Sequence, residues 1–152
     1  SIKQYDLPPE CLCAELTESG YTDMTPYFYK LRKKFEEKNI QFVLDDFGTG
    51  YSNLHCIVNM KPNYVKLDKD FTAKAMSNAR NFELLKKIVE MVHSVDIRIC
   101  IEGIEKEEWY QKLKEIHIDY LQGYLFGKPC EKNQFLNKFI FHCTDQENLT
   151  DL

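Results

Sequence analysis

Apolar and polar positions alternate along this chain with two periods in turn. Residues 11–16, CLCAEL, form a short apolar run closed by acids and Gly20. Thr25 then stands as an N-cap with Pro26 at the first helical position. Met24, Tyr27, Phe28, Leu31 and Phe35 recur on one face of a helix that ends near Asn39. A second strand, 41–46, delivers the adjacent Asp45 and Asp46, and a third, 64–68, follows Pro62 after a short helical or irregular stretch. Residues 81–94 place Phe82, Leu85, Val89 and Val92 at helical spacing, the stripe of an amphipathic helix. A fourth strand, 97–101, leads to a helix over 106–116 with Trp109, Leu113 and Ile116 on one side. A fifth, 119–122, precedes a glycine-rich turn and a last helix over 131–141. Strands separated by helices predict right-handed βαβ crossovers and a parallel sheet. Sites in such folds gather where the strands end.

That rule gives meaning to the glycines. Gly20, Gly48, Gly50, Gly103, Gly123 and Gly127 all follow carboxyl ends of predicted strands, where loops turn tightly or backbone approaches a ligand. Acids share these positions: Glu15 and Glu18, Asp45 and Asp46, Glu102 and Glu105, with Gln122 at the last. Carboxylates crowded at one rim either raise some pKa values or hold cations. No matching His or Cys set accompanies them, so the hard oxygen donors point to Mg²⁺ or Mn²⁺ and away from zinc. Two such ions suit in-line displacement at phosphorus. Lys66, in NYVKLDKDF, shares a strand face with Tyr64 and Asp68, which brings a cation to the same rim.

Each feature also has a plainer reading. Asp-Asp-x-Gly can cap a helix or form an Asx-turn, and Glu15 and Glu18 can be a solvated helix start. Glu105, Glu107 and Glu108 can complement a helix dipole, and Lys66 can be a surface lysine. His55, His93, His117 and His142 have no spacing of a metal pair, and His93 reads as structural. No nucleophile elbow, P-loop or dinucleotide fingerprint occurs.

Composition narrows the class. The 152 residues, 43% of them hydrophobic, suffice for one globular domain. The net charge is −4, and basic and acidic residues alternate along the helical stretches. That excludes a phosphate-neutralising patch for a DNA or RNA polymer. Six scattered cysteines fit a reduced, cytosolic protein, and Cys11-x-Cys13 has the wrong spacing for a zinc knuckle. No apolar run approaches the roughly 18 residues of a membrane span, and no signal peptide opens the chain. A first residue of Ser1 in place of Met is expected of a chain cut from a longer one.

Five motifs in order, ELTES (15–19), DDFGTGYSNL (45–54), VKLD (65–68), IEGIE (101–105) and DYLQGYLFGKPC (119–130), resemble those of EAL domains, bacterial phosphodiesterases of cyclic di-GMP. The resemblance covers about residues 8 to 140 and implies a modified TIM-type (β/α) barrel. Its implied reaction is hydrolysis of one phosphodiester of cyclic di-GMP to linear pGpG, in the bacterial cytoplasm, with Mg²⁺ or Mn²⁺. By motif matching, Glu15 and Asp45 would ligate a first metal and Asp46 a second. Lys66 would contact the water or phosphate, and Glu102 would be general base or second-metal ligand. Glu105 would support the cluster, Gln122 would complete the pocket floor, and Glu18 would anchor the loop carrying residues 47–52, which the family links to dimer contacts and regulation.

The departures set further expectations. The family's Glu-Ala-Leu tripeptide occurs nowhere in the chain, and its later ligand Asn has no counterpart. A complete barrel takes about 250 residues, so about 100 are expected upstream. The domain piece is then residues 1–143, with a polar tail over 144–152. An incomplete barrel of about five strands exposes edges and an inner face. A homodimer or swapped oligomer is expected, as is inactivity of this chain alone. The alternative is a non-catalytic EAL-like module that binds cyclic di-GMP or a protein. A receiver domain fits less well, because Lys66 follows Asp46 too closely and the later strand ends carry glutamates.

Overall fold

The computed structural model describes residues 7–17, 26–48 and 53–141. Five strands form one parallel sheet in chain order: β1 (Cys13–Thr17), β2 (Gln41–Phe47), β3 (Tyr64–Leu67), β4 (Arg98–Ile101) and β5 (Tyr120–Leu121). Each strand pairs with the next in sequence, as in the wall of a TIM-type α/β barrel. Helices α1 (Pro26–Glu36), α2 (Asn53–Met60), α3 (Lys69–Ala75), α4 (Ala79–His93), α5 (Glu107–Leu113) and α6 (Lys132–Phe135) connect or follow them, and α6 runs into a π-helical turn, Leu136–Phe141.

Alternation along the strands divides the sheet into two faces. Phe42, Leu44, Phe47, Val65, Leu67, Ile99 and Ile101 enter one hydrophobic core with Ile57 and Met60 of α2 and Leu85, Val89 and Val92 of α4. Each such side chain contributes about 1.5–3 kcal/mol by leaving water. The expected stripe of α4 is the buried one, with Asn78 capping its start through the Asn81 N–H at 2.9 Å. On α1, Phe28 and Phe35 bring their rings to 5.6 and 6.0 Å from that of Phe42. Thr25, Met24 and the polar tail lie outside the described residues.

Most boundaries shift by a few residues from the sequence expectation, and three features differ in kind. Asp68 does not extend β3. It caps α3, accepting from the N–H groups of Asp70 and Phe71 at 2.9 and 3.2 Å. The periodicity does not announce α3, because its seven residues bury only Thr72 and Ala75. The last helix is not uniform, since its second half widens to π geometry.

Candidate active site at the strand ends

The Asp pair sits in an irregularity that explains how both acids escape the core. In a regular strand Asp45 and Asp46 would face opposite ways. Leu44 pairs with Val65 and Phe47 with Leu67, so β2 spends one residue more than β3 over this step, a β-bulge. Asp46 takes φ +57° there, a left-handed conformation that Asp tolerates better than most residues. Phe47 thereby returns to the core at 4% exposure. Asp68, just past the end of β3, caps α3.

Lys66 is the centre of the arrangement. Its Nζ lies 2.7 Å from Glu102 Oε1, 3.2 Å from Asp45 Oδ1 and 3.3 Å from Glu15 Oε2. Those partners come from β1, β2 and the end of β4, on either side of β3. The lysine is 9% exposed, so it is no surface lysine. Burial pulls its pKa down, but hydrogen bonding to Glu102 and the charges of Glu102 and Asp45 outweigh that and raise it above the ordinary lysine value. Asp45 Oδ1 is buried and receives no hydrogen bond, although it lies within ion-pair distance of the lysine.

Two glycines let the strand-end loops close on this cluster. Gly103 follows Glu102 at φ +74°, and a Cβ there would come 2.5 Å from Lys69 Cβ at the start of α3. A Cβ on Gly123 would overlap the Ile104 backbone. The Glu102 N–H donates to Leu67 O at 3.1 Å and the Gln122 N–H to Ile101 O at 2.9 Å, which fixes both side chains at the rim. Glu15, Lys66 and Gln122 line a common cavity of about 330 Å³ with Tyr64, Cys100 and Tyr120.

Of the expected site residues, the structure thus brings Glu15, Asp45, Lys66 and Glu102 into contact and sets Gln122 beside them. Asp46 stands next to them on the bulge. Glu105 is exposed on the loop into α5 and makes none of the ion pairs around Lys66. Glu18 lies outside the described residues. Glu107 and Glu108 do occupy the first turn of α5. His93 is structural: its Nε2 meets Asp119 Oδ2 at 2.8 Å, and the same oxygen accepts the Ile99 N–H at 2.8 Å.

Sequence reasoning missed the layer beneath. Arg98 donates to the Tyr120 hydroxyl at 2.6 Å and lies over the rings of Tyr64 and Tyr120 at 5.9 and 5.6 Å. Cys100 stands between Arg98 and Glu102 on β4, and burial followed by the charge of Glu102 pushes its thiol up to about 11. The signal was present as alternation: Arg98, Cys100 and Glu102 are two residues apart, as are Tyr64 and Lys66, and Tyr120 and Gln122.

Among the described residues no three His, Cys, Asp or Glu side chains already stand close enough to hold one metal ion. The donor set nonetheless fits a hard divalent cation: carboxylate oxygens from neighbouring strand ends, one of them buried without a hydrogen-bond donor. No helix among the described residues is long and apolar enough to cross a membrane.

A TIM-type α/β wall with acids and a buried lysine at its carboxyl rim defines the class. The family model of the EAL domain matches residues 1–129, and the chain belongs to the EAL domain family. Signaling protein YkoW of Bacillus subtilis is 31% identical over 146 residues, covering 96% of this chain and 18% of that protein. Cyclic di-GMP phosphodiesterase PdeL of Escherichia coli is 30% identical over 129 residues, covering 85% of this chain and 36% of that protein. The solved manganese and cyclic di-GMP complex of Klebsiella pneumoniae BlrP1 superposes with a TM-score of 0.76 at 26% identity, over 85% of this chain and 33% of that one. The chain therefore spans between about a fifth and about a third of the length of these proteins.

Proposed function

We propose that this EAL domain serves the metal-dependent hydrolysis of cyclic di-GMP to linear pGpG. The observation that carries the reading is the convergence of Glu15, Asp45 and Glu102 on Lys66 at the carboxyl ends of adjacent strands. The names of PdeL and the BlrP1 complex support the substrate and a divalent ion. Glu15, Asp45 and Asp46 would hold Mg²⁺ or Mn²⁺, which when bound supplies charge neutralisation at phosphate and acidifies a bound water.

The chain's own groups account for the remaining chemistry. Glu102 accepts the proton of the attacking water, as a general base from within the cluster. The new bond runs from water oxygen to phosphorus, the bond to the ribose 3′ oxygen breaks, and linear pGpG leaves with a 5′ phosphate and a free 3′ hydroxyl. The Lys66 ammonium offsets charge on a non-bridging oxygen. Gln122 closes the adjoining cavity wall, and Glu105 supports the loop after Glu102.

A second reading is binding of cyclic di-GMP without turnover. It is favoured by the absence of a Glu-Ala-Leu tripeptide from the sequence and by the spread of the carboxylates around a lysine in place of a single ion-sized point. The five-strand arc is then part of a non-catalytic module that binds cyclic di-GMP or a protein, with no turnover by this chain or by a longer protein containing it. The deciding experiment incubates this chain, and a longer protein containing it, with cyclic di-GMP and Mg²⁺ or Mn²⁺. Formation of pGpG that disappears in Asp46→Asn supports hydrolysis; saturable binding with no product from either protein supports the second reading.

A further inference from the structure

Lys66 occupies the position that a metal ion would contest. An ammonium carries three N–H donors and no acceptor, and three carboxylates lie within 3.3 Å of Nζ. In this arrangement the ammonium is drawn toward three carboxylates and away from any water or phosphate. A hard ion such as Mg²⁺ demands its oxygens at about 2.0–2.1 Å, closer than any of the three stands to the ammonium. The carboxylates must therefore contract around an incoming ion, and two cations repel when they share one set of anions. The side chain of Lys66 is 11% exposed, so little water screens that repulsion. Arg98 does not stand in as a substitute counter-ion, because its guanidinium is engaged with Tyr120 and Gln41 at the other end of the strands.

We propose that Lys66 is the internal counter-ion of the metal-free site, and that a divalent ion enters by displacing its ammonium from Glu15 and Asp45. The inference rests on the metal-dependent reading of this rim and adds a regulatory consequence. The lysine sets how tightly the ion is held, and its ammonium is free to turn from the carboxylates to a phosphate once the ion is in place. Metal loading thus arms the residue that serves the reaction, and in the metal-free site the ammonium offsets part of the carboxylate charge.

The test reads ion binding and not turnover. Mn²⁺ is titrated into the whole chain and into Lys66→Met and Lys66→Arg by calorimetry and by the electron paramagnetic resonance signal of free Mn²⁺. Melting is recorded in EDTA and in Mn²⁺. Lys66→Met is expected to bind Mn²⁺ at least about tenfold tighter than wild type, to melt lower in EDTA, and to gain more from the ion. Lys66→Arg stays near wild type. Should Lys66→Met fail to fold, the wild-type chain decides alone: the slowly exchanging ¹⁵N ammonium resonance of Lys66, observed in EDTA, must move or vanish as Mg²⁺ saturates. An affinity for Mn²⁺ that is unchanged or weaker in Lys66→Met, or an ammonium resonance untouched by Mg²⁺, overturns the proposal. So does a wild type and variant that both bind no Mn²⁺, an outcome that leaves hydrolysis by a longer EAL protein untouched. Ion binding with lysine displacement but no pGpG sinks the phosphodiesterase reading alone.

Discussion

On the outer face of the sheet, Leu44, Val65, Leu67, Ile99 and Ile101 are all at 0% exposure beneath the helices. On the inner face, one residue away along each strand, stand Asp45, Lys66, Cys100 and Glu102. The same backbone thus serves two accounts of free energy. Outer side chains leave water for dense apolar contact and stabilise the fold. Inner charges gain from pairing but lose hydration, so their net contribution is small or unfavourable. The difference teaches that the rim is held in place by the opposite face of its own strands, not by the ion pairs it displays.

The sharpest way to break that comparison is to truncate one side chain on each face. Leu67→Ala removes a fully buried outer side chain between two rim residues, Lys66 and Asp68. It is expected to lower unfolding free energy by about 2–5 kcal/mol, read from urea denaturation. Gly103→Ala comes next. Its φ of +74° and the 2.5 Å approach to Lys69 predict a loss of about 1–3 kcal/mol, together with displacement of Glu102 from Lys66. Glu102→Gln is expected to cost only about 1 kcal/mol, because two carboxylates remain for Lys66 and its own loss relieves acid crowding. In a protein that hydrolyses cyclic di-GMP the same change lowers turnover by about 100-fold or more. If Glu102→Gln destabilises as much as Leu67→Ala, the division of labour between the faces is wrong.

The outer face was legible because burial imposes a period on sequence. Phe82, Leu85, Val89 and Val92 mark α4, and the apolar runs mark β2, β3 and β4 within a residue or two of their observed bounds. The acids at the strand ends were legible as residue types at topologically special positions. Their partnership was not, because the three contacts of Lys66 depend on the register of four strands, which no local pattern encodes. The bulge at Asp46 was invisible for a related reason: Asp tolerates φ > 0 but does not require it. Helix α3 escaped because two buried residues are too few to display a helical period, and its cap, Asp68, read as the last residue of a strand. Arg98 between two tyrosines likewise needs the β3–β4–β5 register before it becomes a cluster.

The smallest effect tests whether the opposite end of the sheet depends on charge at all. Asp119 pins the start of β5 to α4 and β4 by accepting from His93 and from the Ile99 N–H, both at 2.8 Å. Burial raises its pKa, but the His93 hydrogen bond and the Ile99 N–H outweigh it and hold the carboxyl below the ordinary carboxylate value. The folded chain therefore binds this proton less readily than the unfolded one. The resulting stabilisation is fully present above the unfolded value near 3.9 and is lost as pH falls through the lower, folded value. Asp119 is 29% exposed at its side chain, so solvent screening keeps the contribution under about 1 kcal/mol. Urea midpoints of wild type and Asp119→Asn are expected to differ at pH 6 and to differ less at pH 3. An equal offset at both pH values would mean that the pin works through shape alone, and that charge matters to this sheet only at the rim.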